Sequence, residues 1–223
     1  MRTRLLLLSA AAAASLALAG CGERNEPVED GPIEAASAGS GVGSNPASNA
    51  VQDTASAAVG ATSAATLGRT TEGFVTNASV SNLYEIESGR IAGERAKNPA
   101  LKSFGQQIVK DHTAMMAEMK AAAPAAGNVT MPTVMDERRQ GMIENLRQAP
   151  EEAFDGVFRA QQVAAHEESL TLHRTYAENG DNAQLKALAA KGAPMIQAHL
   201  EMIRAVPESG SGQPGAPGQT GAD

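Results

Sequence analysis

The sequence has few aromatic residues: they make up 3% of its 223 residues, and tryptophan is absent. A core must therefore be built mainly from Ala, Leu, Ile, Val and Met, which favours closely packed helices over a β-sandwich. Acidic residues outnumber basic ones, and the net charge of -7 argues against electrostatic binding to nucleic acid, which requires a basic surface. No long stretch alternates apolar and polar residues with the two-residue period of a strand.

Cysteine occurs once, at Cys21, so no disulfide can form within the chain. The chain begins with the basic segment MRTR, and the apolar run that follows is too short to span a bilayer comfortably. The run ends in Leu-Ala-Gly-Cys, which resembles a bacterial lipobox. This resemblance implies that residues 1–20 are a lipoprotein signal peptide and that Cys21 is lipidated and anchors the chain in the membrane. Gly22 at the next position favours the outer membrane, with the protein facing the periplasm.

Large apolar side chains are scarce at both ends of the mature chain. Between Asn25 and Gly68 there is no Lys, Arg or aromatic residue, and Gly, Ala and Ser dominate. Such a segment buries too little apolar area to offset the entropy lost on ordering. We therefore predict that residues 21–68 form the lipid anchor and a disordered tether, and that residues 207–223 form a disordered tail.

Helix start and stop signals recur between residues 69 and 206. We predict that Thr70 or Thr71 starts the first helix and that Asn98 caps the second, with a proline at its first position. The segment 133–136 resembles a capping box and predicts a short helix to about residue 148. Pro150 is expected to start the third long helix, and Asp181 to cap the fourth, which Pro194 should bend.

These helices pair into two hairpins with tight joints, and about 26 residues separate the second long helix from the third. A connection of this length can run along a bundle, as in folds with one long crossover. The predicted fold is all-α: a four-helix bundle over residues 69–206, with a short extra helix in the crossover.

Counting residues outward from the two joints brings polar side chains to one level of the bundle. Glu85 and His112 lie about equally far from Asn98, and His166 and His199 lie at similar distances from Gly180. At 1.5 Å per residue, each lies roughly 20 Å or a little more from its joint. We therefore predict a shared polar layer of four residues, one from each helix. Weaker candidates lie near it: Met115, Met116, Met195, Met202 and His173.

Five segments of the chain match the pattern of a known family: SNLYEIESGRIA at 81–92, VKDH at 109–112, FDGVF at 154–158, QQVAAH at 161–166 and LKALAAKGAPMIQAHL at 185–200. Through these segments, residues 74–206 resemble the DUF4142 family of bacterial envelope proteins, assigned to the ferritin-like superfamily. It implies a ferritin-like bundle but almost no function, because the family is defined as a domain of unknown function. Phe158 stands where the family usually has Tyr, so this chain lacks that hydroxyl.

The residue pattern argues against di-iron chemistry, because no Glu-x-x-His motif occurs anywhere in the chain. No nucleophile or phosphate-loop motif is present either, and we predict no enzymatic activity. One interpretation is a structural polar layer, in which His112 pairs with Glu85, in an envelope lipoprotein that contacts a protein partner or a second copy of itself. The alternative is a periplasmic buffer or delivery protein that binds copper or a similar soft ion through His, Met and Glu.

Three neighbouring features are expected to lie outside the polar layer. Methionines at helical spacing, such as Met115 and Met116, more often pack in a core than bind a metal. His173 is two turns from His166 and is predicted to be peripheral. Asp111 is adjacent to His112 in sequence and is therefore expected to point elsewhere, to solvent or a helix end.

Overall fold

The computed structural model describes residues 46–207, which form six α-helices, a short 3-10 helix at Ala123–Ala126 and no strand. The helices are α1 Pro46–Leu67, α2 Thr71–Arg95, α3 Pro99–Ala122, α4 Glu137–Gln148, α5 Phe154–Asn179 and α6 Ala183–Ala205. The predicted all-α bundle is confirmed. Its four long helices are α2, α3, α5 and α6, and its short crossover helix is α4.

Two hairpins build the bundle: α2 packs along α3, and α5 packs along α6. The hairpins meet through α2 against α5 and α3 against α6, so that all four helices surround one interior. Large side chains fill this interior at one end, among them Phe104, Phe154 and Phe158. At the other end, Phe74 stacks on Tyr176 with ring centroids 4.3 Å apart. The polar layer described below lies between these two groups.

Capping side chains set several helix starts as predicted. The Thr70 hydroxyl accepts a hydrogen bond from the Gly73 amide at 3.1 Å. The Asn98 side chain accepts one from the Ala100 amide at 2.9 Å, with Pro99 at the first helical position. Both contacts satisfy amides that have no partner within the helix, so they fix where α2 and α3 begin.

Three predicted helix starts were wrong. Helix α4 begins at Glu137, because Asp136 rather than Thr133 accepts from a first-turn amide, that of Arg139 at 2.7 Å. Residues 150–153 form a turn before α5, in which the Pro150 carbonyl accepts from the Phe154 amide. Asn182 caps α6, whereas Asp181 accepts from the Thr71 hydroxyl at 2.6 Å and so ties the start of α2 to the α5–α6 joint. Pro194 lies within α6.

The prediction of a disordered tether was wrong for residues 46–67, which form helix α1 along α5 and α4. The buried residues of α1 are Ser56, Gly60 and Ala64, spaced four apart and therefore on one face. Their small size allows the helix backbone to approach α5 closely, so the helix packs without large apolar side chains. Residues 21–45, Cys21, the signal peptide and the tail beyond 207 lie outside the described residues.

Substituting Gly60 tests whether α1 is packed in solution. A Cβ at this position would lie 1.9 Å from Oε2 of Glu168, whose other carboxylate oxygen, Oε1, lies 2.9 Å from Arg138 and 2.8 Å from Arg139. We expect Gly60→Ala to lower the free energy of unfolding by roughly 1–3 kcal/mol, as overpacking does. Chemical denaturation followed by circular dichroism measures this change.

Gly93→Ala is the matched control, because an added Cβ there meets nothing within 4 Å. Replacing a helical glycine by alanine without a clash should stabilise the protein by about 0.5–1 kcal/mol. If both variants are stabilised equally, α1 does not pack against α5 in solution.

No helix between residues 46 and 207 has the length and hydropathy that a membrane span requires.

Candidate functional site

Three histidines from three helices meet inside the bundle. His112 of α3, His166 of α5 and His199 of α6 are each at most 1% exposed. Their ring centroids form a nearly equilateral triangle with sides of 5.7, 5.5 and 5.5 Å. One ring nitrogen from each lies within 4.8 Å of the other two. The residue count therefore placed these three histidines at one level correctly.

Each ring is fixed through one of its nitrogens by an oxygen atom. His112 Nδ1 lies 2.8 Å from Asn82 Oδ1, and His166 Nδ1 lies 2.9 Å from its own helix, at the Gln162 carbonyl. His199 Nε2 lies 2.9 Å from Asp111 Oδ2. Because these oxygens accept hydrogen bonds, the ring nitrogens facing them carry hydrogen and donate.

The remaining ring nitrogens therefore carry lone pairs. They are Nε2 of His112, Nε2 of His166 and Nδ1 of His199, and each is buried without a hydrogen-bond partner in the described part of the chain. Buried polar atoms normally have a partner. The same arrangement, one nitrogen held by an oxygen and the other free, is typical of histidines that bind a metal.

Burial keeps all three imidazoles neutral at physiological pH. Removal from water lowers the pKa of His166 to about 4. The pKa of His112 lies well below its ordinary value, first because of burial and then because of the neighbouring histidines. Burial also lowers the pKa of His199, although the Asp111 carboxylate acts in the opposite direction. Neutral imidazole is the form that binds metals.

Glu85 of α2 is completely buried beside this triangle, with Oε1 3.7 Å from His166 Nδ1. Neither carboxylate oxygen has a hydrogen-bond partner within residues 46–207. Burial raises the pKa of Glu85 to about 7, and the positive charge of Arg139 acts against this rise. The predicted pairing of Glu85 with His112 was wrong: Asn82, one turn earlier on the same face of α2, takes that position.

A buried ion pair that acts on Glu85 was not predicted from the sequence. Arg139 of α4 is 1% exposed, and its guanidinium lies 2.8 Å from Glu168 Oε1 and over the Tyr84 ring, 4.8 Å from the ring centroid. The Tyr84 hydroxyl in turn donates to Gln161 Oε1 at 3.0 Å. This cluster fixes α4 and α5 against α2. It also places the positive charge of Arg139 near the Glu85 carboxylate. Nothing in the spacing of Arg139 and Glu168 distinguishes them from exposed charges.

One other expectation about the surroundings was wrong. Asp111 does not point to solvent or a helix end but holds His199, since α6 passes beside α3 at this level. His173 lies outside the three-histidine group, as predicted, although its side chain is buried: it is 2% exposed, and its ring packs edge-on to Phe74 at 5.3 Å. Phe158 occupies the core between Phe104 and Phe154, with ring centroids 6.2 Å from each.

The candidate methionines lie around the triangle in different settings. Met195 and Met202 line a groove of about 740 Å³ beside His199, and Met202 is 43% exposed. Met115 and Met195 line a smaller cleft together with His173. Met116 is half-buried. The methionines that helical spacing places on one face of α3 thus lie in separate environments.

Comparison with known proteins identifies the family. The family model described as a domain of unknown function, DUF4142, matches residues 55–206. This match begins inside α1 and ends at residue 206, one residue beyond α6, so it covers most of the described bundle. No curated protein and no solved structure matches the chain. On this match, the chain belongs to the DUF4142 family.

Proposed function

We propose that this protein binds one divalent transition-metal ion through His112, His166 and His199, with the buried Glu85 carboxylate beside the site. The observation that carries the proposal is the orientation of the three imidazoles. Each donates one N–H to an oxygen acceptor and leaves its second nitrogen unpaired, and one nitrogen of each ring lies within 4.8 Å of one nitrogen of each other ring.

A purely structural layer fits these atoms less well. Structural buried polar groups pair with one another, and each one left unpaired costs about 1–3 kcal/mol. Here three imidazole nitrogens and both oxygens of Glu85 lack partners within the described residues. A metal ion accepts lone pairs from all three imidazoles at once, which accounts for nitrogens that cannot satisfy one another.

The donor set favours ions of borderline softness. Imidazole nitrogen suits zinc, copper, iron and nickel, whereas magnesium and calcium require oxygen ligands. Tetrahedral binding at about 2.0–2.1 Å per nitrogen separates the nitrogens by roughly 3.3–3.4 Å. Binding therefore requires the rings to move until nitrogen separations of up to 4.8 Å shorten to this value. The nearby Glu85 carboxylate would offset part of the ion's charge without binding it.

We propose that the site stores or delivers its ion and catalyses no reaction. The three histidines and Glu85 are at most 1% exposed, which leaves a substrate no direct approach. We further propose that the protein is an envelope lipoprotein, anchored through lipidated Cys21 in the outer membrane and facing the periplasm. The basic start, short apolar run and lipobox support this proposal.

Metal titration of the full chain tests the proposed function. Apoprotein mixed with Co(II) should develop the intense visible absorption of a tetrahedral site, saturating at one ion per chain, and Zn(II) should abolish this signal by displacement. Stoichiometric binding with a dissociation constant below about 1 μM supports the proposal. Saturation that requires millimolar metal, or octahedral Co(II) spectra throughout, would overturn it.

A further inference from the structure

A second cluster of metal-binding side chains surrounds a cleft of about 170 Å³ near the three-histidine site. His173 of α5, Met115 and Met119 of α3, and Gly192 and Met195 of α6 all line this cleft. The cleft thus combines one imidazole with three thioethers, and its methionines come from two different helices.

His173 presents an unpaired nitrogen here. Its Nδ1 donates to the Ser169 carbonyl at 2.8 Å, so Nε2 carries the lone pair, and Nε2 has no hydrogen bond to another residue between 46 and 207. Burial lowers the pKa of His173 to about 4, which keeps the ring neutral. The side chain is therefore prepared as a ligand in the same way as the three histidines of the other site.

Gly192 provides the space in which His173 and Met115 meet. A Cβ at this position would lie 3.0 Å from Met115 Cε and 3.3 Å from His173 Nε2. The thioether end of Met115 and the free nitrogen thus approach the same point on α6. A glycine inside a helix costs about 1 kcal/mol relative to alanine, so the space comes at the expense of helix stability.

We propose that His173 Nε2, Met115 and Met195, with Met119 beside them, form a site selective for Cu(I). Thioethers prefer soft ions, and a set of neutral ligands suits a monovalent one. Methionines that only fill space need no imidazole with a free lone pair among them, and this feature separates the cleft from ordinary core packing. The proposal does not rest on the three-histidine site, from which it differs in both ligand set and preferred ion.

The test measures Cu(I) affinity of the full chain under anaerobic, reducing conditions, by competition with a chromophoric Cu(I) chelator. It is made in a His166→Ala background, in which the three-histidine site has lost one ligand. Any Cu(I) bound by this variant is therefore attributed to the cleft, and the three-histidine site is tested on its own by the metal titration above. We expect one Cu(I) per chain in this background. In the Met115→Leu/Met195→Leu variant, affinity should fall at least 100-fold, while leucine preserves the apolar packing.

The matched control is Met116→Leu/Met202→Leu, which removes the same number of thioethers outside the cleft and should leave affinity within about threefold. Circular dichroism melting curves show whether each variant is folded. X-ray absorption at the copper edge should detect sulfur neighbours in the control and lose them in the cleft variant. Absence of Cu(I) binding in the His166→Ala background, or equal affinities of the two double variants, would overturn the proposal.

Discussion

His166→Ala is expected to lower the affinity for Zn(II) by more than the roughly 10–100-fold that changes in the outer shell of a metal site typically cost. The substitution removes one of three nitrogens that converge on one point, and the described residues offer no other imidazole within the triangle. Isothermal titration calorimetry with Zn(II) and competing chelators measures the change. His112→Ala should have an effect of the same size, because the three rings are nearly equivalent in position.

Two further variants show whether a loss of Zn(II) affinity comes from the loss of a ligand or from damage to the fold. Asn82→Ala removes only the acceptor that holds His112 Nδ1 at 2.8 Å, so its effect should be intermediate, about 10–100-fold. Leu172→Ala truncates a fully buried side chain on the same helix as His166, and should lower stability but leave Zn(II) affinity unchanged. If His166→Ala and Leu172→Ala weaken binding equally, the histidines act only through the fold.

Glu168→Gln is expected to lower the free energy of unfolding by about 3–5 kcal/mol, the usual cost of removing one partner of a buried ion pair. The Glu168 carboxylate contacts both Arg138 and Arg139. Arg139 is 1% exposed, and two of its nitrogens already lack partners in the described part of the chain. Loss of the carboxylate charge would leave this guanidinium buried and uncompensated. Urea denaturation at neutral pH measures the effect.

The control for this prediction is an exposed ion pair of similar geometry. Glu118 lies 2.8 Å from Lys191, and both side chains are well exposed, at 42% and 69%. Glu118→Gln should cost less than about 1 kcal/mol. If Glu168→Gln lowers the free energy of unfolding by no more than Glu118→Gln does, the Arg139–Glu168 pair does not hold α4 and α5 together as described.

Helix positions and the level of the site could be predicted because they depend on local rules. The Asn98-Pro99 start of α3 follows from capping chemistry, and antiparallel pairing converts distance from a joint into height along the bundle. This reasoning placed His112, His166 and His199 at one level without any knowledge of side-chain contacts. It could not assign partners, because Asn82 and Glu85 share a face of α2 and differ in height by less than one turn.

Features that depend on tertiary packing were not predictable in this way. Helix α1 has the composition of a linker, and only the complementary surface of α5 makes its Ser56, Gly60 and Ala64 face favourable to bury. Arg139 becomes a buried charge only because α4 folds over Tyr84. Asp111 was expected to point to solvent or a helix end, but α6 brings His199 to meet it.

The methionine-rich segment at residues 111–119 contains features that local spacing predicts and features that only tertiary packing decides. Its histidine belongs to the three-histidine site, while Met115 and Met119 line the neighbouring cleft and Met116 does not. Sequence spacing alone places these side chains on one helix face. The neighbouring helices divide that face between two environments, and this division is the basis for proposing two sites with different metal preferences.

Anomalous X-ray diffraction from crystals of the Zn(II)-loaded full chain, collected on both sides of the zinc edge, tests the proposed metal site most directly. We expect one strong peak about 2.0–2.1 Å from Nε2 of His112, Nε2 of His166 and Nδ1 of His199. The Nδ1–H groups of His112 and His166 and the Nε2–H of His199 should still face their oxygen acceptors. A histidine triangle without a peak, with zinc bound only at surface residues, would contradict the proposed function.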